Sequence, residues 1–136
     1  MRPGAPVGYG LLRGRPWIGL PGNPVSTMVT FDLFVRPLLR KLIGHRRLFR
    51  RPVAARTTER IVLGPRLRHY LRAVVSEGPE GLEVKLTGPQ GSAILTSMVK
   101  ANALLIVPED RPEVTAGEML QAILLNETTH LEEARY

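Results

Sequence analysis

The sequence predicts an α+β chain, in which a strand, a tight turn and a kinked helix lead into a small all-β unit. Three observations support this. Pro21-Gly22-Asn23-Pro24 punctuates the chain just before apolar residues that recur at helical spacing. Beyond Pro52 the hydrophobic pattern changes from the helical period to the alternating period of strands. From there on, turns containing Gly and Pro separate short apolar runs, as in a small β-barrel or sandwich.

Each element follows from its residues. Residues 1–16 contain Pro3, Gly4, Pro6, Gly8, Gly10, Gly14 and Pro16, so loop and turn are expected, with one short strand near Val7–Leu12. Trp17-Ile18-Gly19-Leu20 predicts a short buried strand. Asn23 followed by Pro24 is an N-cap followed by proline at the first helical position, where a missing N–H costs nothing. Val25, Met28, Val29, Val35, Leu38, Leu39 and Leu42 then make one apolar stripe. Pro37 lies inside it and predicts a kink or a split, because its ring crowds the carbonyl four residues back. Gly44 is a natural stop, and Arg40 and Lys41 suit the negative end of the helix dipole. A single helix cannot bury its stripe without a partner surface, so residues 1–44 are expected to pack poorly.

His45–Pro52 is a basic connector that predicts a boundary between two units. Strands are expected within Val53–Val62, Tyr70–Ser76, Leu82–Leu86, Leu104–Val107 and Met119–Leu125, and a short helical turn within Ile94–Ala101. The intervening turn signals are Gly64-Pro65, Gly78-Pro79-Glu80-Gly81, Gly88-Pro89, Pro108-Glu109-Asp110 and Ala116-Gly117-Glu118. Residues 128–136 are polar and read as a tail.

Composition narrows the function classes. No apolar stretch is long enough to span a bilayer as a helix, and the N-terminus lacks the apolar core of a secretory signal. Cysteine is absent, which excludes disulfides and thiolate metal sites and fits a cytoplasmic protein. The net charge is +7, and its distribution is uneven. Arg36–Arg72 holds twelve basic residues against Glu59 alone, whereas the chain after Arg72 holds four basic and ten acidic residues. Such a cationic block attracts phosphate, nucleotide, nucleic acid or an acidic partner; a solvated arginine-rich face is the simpler alternative.

Two constellations carry chemistry. In Pro21–Ser26 the prolines stiffen the turn, Gly22 allows close approach to backbone, and the first helical turn offers unbonded amides and the Ser26 hydroxyl to an anion. A plain capped turn is the competing reading. Gly88–Ser92, followed by Thr96, Ser97, Lys100 and Asn102, gathers small, hydroxyl and amide groups able to bond an oxyanion or the edge of a heterocycle. Its alternative is an ordinary hairpin loop. Arg72 interrupts an apolar strand and must reach water, an ion pair or an anionic ligand. His45, His69 and His130 lack metal-ligand spacing and are read as surface histidines. With aromatics at 5%, there is no row of stacking platforms for single-stranded nucleic acid.

These segments, in this order, resemble the molybdopterin molybdenumtransferase family, related to the E domain of gephyrin. Gly-Leu-Pro-Gly-Asn-Pro-Val-Ser at 19–26 is similar to the family signature almost letter for letter. Phe34–Gly44, Tyr70-Leu71-Arg72, Gln90–Met98 with Ala101-Asn102, Pro108-Glu109 and Ala116-Gly117-Glu118 resemble further family segments. The resemblance implies that residues 1–46 are the C-terminal remnant of a molybdopterin-binding α/β domain, 50–127 a β-barrel domain and 128–136 a tail. It implies insertion of molybdate into adenylylated molybdopterin with release of AMP, in a cytoplasmic homodimer that binds neither membrane nor a specific nucleic acid.

Pro21, Gly22, Asn23, Pro24 and Ser26 would line the pterin-phosphate pocket. Arg72, Gln90, Ser92 and Ser97 would line the facing barrel side, contributed in the family by the dimer mate. Mg2+ would take its ligands upstream of residue 1, so this chain would carry half of the site and be inactive alone. One departure is that Pro3-Gly4-Ala5-Pro6 stands where the family usually has Pro-Gly-Lys-Pro, which removes a positive ligand contact. Two other classes compete: a non-catalytic, gephyrin-like module that binds cofactor or protein, and a basic RNA-binding barrel.

Overall fold

The computed structural model describes all residues except 5, 65, 92, 93, 127–129 and 132–136, together with the backbone alone at 130 and 131. β1 (Gly8–Leu12) and β2 (Arg15–Gly19) form an antiparallel hairpin. The segment expected to be a buried strand is therefore the second arm of an exposed ribbon, with Trp17 47% exposed. Its indole lies across the hairpin glycines: a Cβ on Gly10 would come within 2.9 Å of Trp17 Nε1, so only glycine leaves it room.

α1 (Pro24–Thr30) starts where the Asn-Pro pair places it. A wide π turn (Phe31–Val35) follows, and then α2 (Arg36–Leu42). The proline effect thus takes the form of a split. Pro37 begins the second segment, and the Arg36 N–H reaches back five residues to the Phe31 carbonyl, widening the turn where the ring would crowd Leu33. Gly44 ends α2 at φ 90°. The His45 N–H bonds the Arg40 carbonyl and the Gly44 N–H bonds the Lys41 carbonyl, which is a Schellman close.

The connector holds β3 (Phe49–Arg50), followed by β4 (Pro52–Thr57), β5 (Ile61–Val62), β6 (His69–Gly78), β7 (Gly81–Leu86), α3 (Leu95–Lys100), β8 (Ala103–Val107), β9 (Glu113–Val114), β10 (Met119–Leu124) and β11 (His130–Leu131). Five strands close a barrel in the order β10-β4-β7-β6-β8, with β8 returning to β10. Within the barrel, among the described residues, only β4 and β7 pair in parallel. β3 pairs with β11 and β5 with β9, in short ribbons that the alternation pattern does not reveal.

The barrel interior is filled by Ala55, Leu71, Ala73, Val75, Val84, Ala103, Leu105, Val107, Leu120 and Ala122. Residues of opposite parity, Tyr70, Leu104, Ile106 and Ile123, point outward and are also buried, because Val25, Val29 and Leu33 lie on them together with Met98 of α3. Both faces of β8 are covered, which is why it reads as an unbroken apolar run.

Poor packing of residues 1–44 holds for the hairpin and α2, where Tyr9, Leu11, Leu12, Leu42 and Ile43 are exposed, but not for α1, where the barrel is the partner surface and Val25 and Val29 are fully buried. Of the expected stripe Val25 and Val29 are buried, joined by Leu33, which lies outside it, while Met28, Leu39 and Leu42 remain exposed. Burying a side chain of this kind stabilises by about 1.5–3 kcal/mol, so the three anchors make helix and barrel one packed body. Arg50 of β3 ties the two parts further through an ion pair with Asp32 of the π turn, at 3.0 Å.

Candidate functional site: a cationic cleft at the barrel mouth

A cleft of about 650 Å³ opens where the start of α1, residues 1–4 and the Gln90 loop meet the mouth of the barrel. That volume lies within the range of small-ligand sites. Its walls include Arg2, Asn23, Ser26, His69, Arg72, Gln90 and Gly91, with Ile61, Leu63, Leu71 and Leu86 as an apolar floor, and no Asp or Glu among the described lining residues.

Arg72 is its central group, only 1% exposed. Its Nε donates to Ser97 Oγ at 3.1 Å and its Nη2 to the Gly91 carbonyl at 3.1 Å. Ser97 is held in turn, donating to the Ile94 carbonyl at 2.6 Å. Gln90 acts as a one-residue strand: its Oε1 accepts from the Arg72 N–H at 2.8 Å and its Nε2 donates to the Arg72 carbonyl at 3.1 Å. Asn102 brackets Val75 in the same way, at 2.8 and 2.9 Å.

A guanidinium has five N–H donors, and the bonds above use two. No ion pair links Arg72 to a carboxylate among the described residues. Burial without a counter-ion pushes its pKa down from the ordinary arginine value. The arrangement is a held cation with donors to spare, opening on a cleft that offers no negative charge.

The start of α1 also lines the cleft. Ser26 is 5% exposed and lines the cleft together with Asn23. Thr27 fastens the corner, its hydroxyl bonding the Pro21 and Asn23 carbonyls and its N–H bonding the Asn23 carbonyl at 2.9 Å. Asn23 makes no side-chain cap bond.

Among the residues singled out from sequence, Asn23, Ser26, Arg72 and Gln90 therefore share one cleft within a single chain. Ser97 stands behind Arg72, while Pro21, Gly22 and Pro24 shape the corner from outside the lining. Ser92 lies outside the described residues.

His69 is not a surface histidine: it is 6% exposed and lines the cleft, because β6 turns it inward beside Leu71. Arg2 was not anticipated either, since only pairing with β6 brings residues 1–4 to the mouth. The cationic block is partly neutralised elsewhere. Arg60 pairs with Glu113 and Arg68 with Glu109, so carboxylates from the C-terminal half meet the basic middle.

Fold and cleft together define a helix-braced β-barrel whose mouth is lined by arginine and uncharged polar groups. Comparison with known proteins gives the family. Residues 54–125, more than half of the chain, match the MoeA C-terminal region (domain IV), and the chain belongs to this family. It is 39% identical over 121 residues to molybdopterin molybdenumtransferase 2 of Mycobacterium tuberculosis, covering 89% of this chain and 29% of that protein. It is 34% identical over 120 residues to the molybdopterin molybdenumtransferase of Haemophilus influenzae, covering 87% and 30%. In structure it is similar to a molybdenum cofactor biosynthesis protein from Pyrococcus furiosus, at a TM-score of 0.72 and 32% identity, covering 90% of this chain and 42% of that one. The chain thus spans under a third of the length of these two curated relatives.

Proposed function

We propose that this chain supplies the barrel half of a molybdopterin molybdenumtransferase site, in which molybdate is inserted into adenylylated molybdopterin and AMP is released. The single observation that carries the reading is Arg72, a buried guanidinium without a carboxylate partner among the described residues, lining the same cleft as Asn23 and Ser26. A terminal phosphate seated there would take charge-assisted bonds from the free N–H groups of Arg72. The Ser26 hydroxyl and the first-turn amides would add further donors to it. Ser97 and the Gly91 carbonyl would keep the guanidinium oriented, and Gln90 would hold the Arg72 backbone, so that little ordering is left to binding. The names of the relatives support the substrate class.

The described residues contain no group of three or more carboxylate or imidazole side chains that would hold a metal ion. Mg2+ prefers carboxylate and other oxygen ligands, and the described cleft lining has no carboxylate. These residues therefore do not fit a Mg2+ site, and no step of the reading runs through one here. Cytoplasmic location and a homodimer belong to the same proposal; no helix among the described residues is long and apolar enough to cross a membrane.

The test is Arg72→Ala in the complete enzyme. Molybdate-dependent AMP release is expected to fall at least 100-fold with the far-UV circular dichroism unchanged. Turnover at the wild-type rate would remove Arg72 from the site.

A further inference from the structure

The hairpin and the kinked helix enclose a second cleft, which shares no described lining residue with the barrel mouth. It has a volume of about 740 Å³ and lies between Val7, Tyr9, Leu11 and Ile18 of the ribbon and Phe34 and Leu38 of the helical segments. The pairing register sets Tyr9 beside Ile18 and Leu11 beside Pro16, so these four side chains share one face. No charged residue is among the described lining, in a chain of net charge +7. Tyr9 is 84% exposed, Leu11 75%, Trp17 47% and Phe34 44%. At about 200 Å² for a whole aromatic side chain, Tyr9, Trp17 and Phe34 alone present roughly 350 Å² of apolar surface. Contiguous apolar patches of this size mark interaction sites. The ribbon also has open edges: β1 and β2 pair only with each other among the described residues, and a two-stranded ribbon is marginal on its own. Pro16 blunts the β2 edge, because it has no N–H to give a ladder, whereas β1 holds no proline.

We propose that this face docks a second copy of the chain, the two hairpins joining edge to edge through β1 into one four-stranded sheet. A twofold axis normal to that sheet keeps both apolar faces on one side, so Tyr9 and Leu11 of the two copies meet at the seam. Main-chain bonds between the β1 edges give the pairing its direction, and the apolar face gives it its stability. Because the described lining carries no charge, two cationic chains meet across it without like charges in contact; Arg13 and Arg15 lie at the hairpin turn, outside the lining. Aromatic surface alone removes roughly 700 Å² from water in such a pair, and Leu11, Ile18 and the paired backbones bring the total toward the roughly 1,200–2,000 Å² of a stable interface. A contact that uses the same patch on both copies closes at two. The inference concerns a surface apart from the barrel mouth and does not depend on the reading of Arg72.

The test is sedimentation velocity of the 136-residue chain over a wide range of concentration, read together with the fluorescence of Trp17. Trp17 is the single tryptophan and lines the cleft, so its emission reports on this face. A monomer–dimer equilibrium is expected, with the emission moving to the blue and iodide quenching falling as the dimer forms. Leu11→Glu, at an exposed position, is expected to leave the circular dichroism unchanged and to weaken dimerisation at least about 30-fold, the effect of a carboxylate buried at the seam. Val99→Glu, at an exposed apolar position of α3, is expected to leave dimerisation as it is in wild type. A chain that stays monomeric at every concentration overturns the proposal and leaves the face to another polypeptide or a small apolar ligand. A dimer that persists in Leu11→Glu, or that forms without change at Trp17, uses another surface and overturns it too. Open-ended aggregates that Leu11→Glu and Val99→Glu dissolve alike also sink it, because the contact would then not close at two.

Discussion

Replacing Arg72 by methionine separates a structural strut from a ligand group. The guanidinium is 1% exposed and faces no described carboxylate. An unpaired buried charge costs several kcal/mol even after relaxation. Its two hydrogen bonds, to Ser97 Oγ and the Gly91 carbonyl, return about 1.5–3 kcal/mol each. Methionine removes both the cost and the return while keeping much of the volume. Little is left unsatisfied, since Ser97 still donates to the Ile94 carbonyl and Gly91 lies on an exposed loop where water can reach its carbonyl. The expected change in unfolding free energy is therefore within about 1 kcal/mol of zero, or roughly 4 °C in Tm for a domain of this size.

Phosphate response is the second half of the test. A ligand at 100 times its Kd adds about 2.7 kcal/mol to the stability of the state that binds it. Wild-type protein should gain that stabilisation, and Arg72→Met should gain none. The assay is urea unfolding followed by circular dichroism, with and without saturating phosphate. A loss of more than about 3 kcal/mol combined with a full phosphate response would refute the reasoning, because the guanidinium would then be holding the fold and not waiting for an anion.

Two further outcomes are expected. Val29→Ala, at a fully buried position between α1 and the barrel, should cost about 2 kcal/mol in urea unfolding, and a cost below about 0.5 kcal/mol would show that the helix does not depend on this contact. Acid should also destabilise the chain through Glu109 and Glu113. A bond from its own backbone amide and the charge of Arg68 hold the Glu109 carboxyl below the usual carboxylate range, and Arg60 does the same for Glu113 by hydrogen bond and charge. Folded-state pKa values below the unfolded ones give stability that is present above the unfolded value and lost as pH falls through the folded one. The double variant Glu109→Gln, Glu113→Gln should therefore lose stability less steeply between about pH 5 and pH 3 than wild type, as followed by Tm. Equal slopes would mean that other carboxylates carry the acid sensitivity.

Much of the local structure follows from the residues in order, because each signal acts over a few bonds. Asn23-Pro24 starts a helix since proline loses nothing at its first position, and Gly44 ends one since it accepts φ 90°. Alternation marks β7, because one side of it meets a core, and a mixed pattern with β-branched residues marks β4. The same locality shows Arg72 as an anomaly in an apolar strand and marks the Pro21–Ser26 corner, though it does not show what either one faces. Closure of the barrel, with β4 and β7 in parallel, needs pairings between distant segments that no local pattern encodes. Burial of Val25 and Val29 depends on the outward residues of β6, β8 and β10, so the helix looked orphaned until the barrel was beside it. Tertiary structure alone turns His69 inward and brings Arg2 to the cleft, since a parallel bridge to β6 is what joins residue 2 to residue 69. The residue types and their spacing determined the elements and their ends. The long-range contacts decided which polar groups share a cavity, because buried charge is a property of what surrounds a residue and not of its neighbours in the chain.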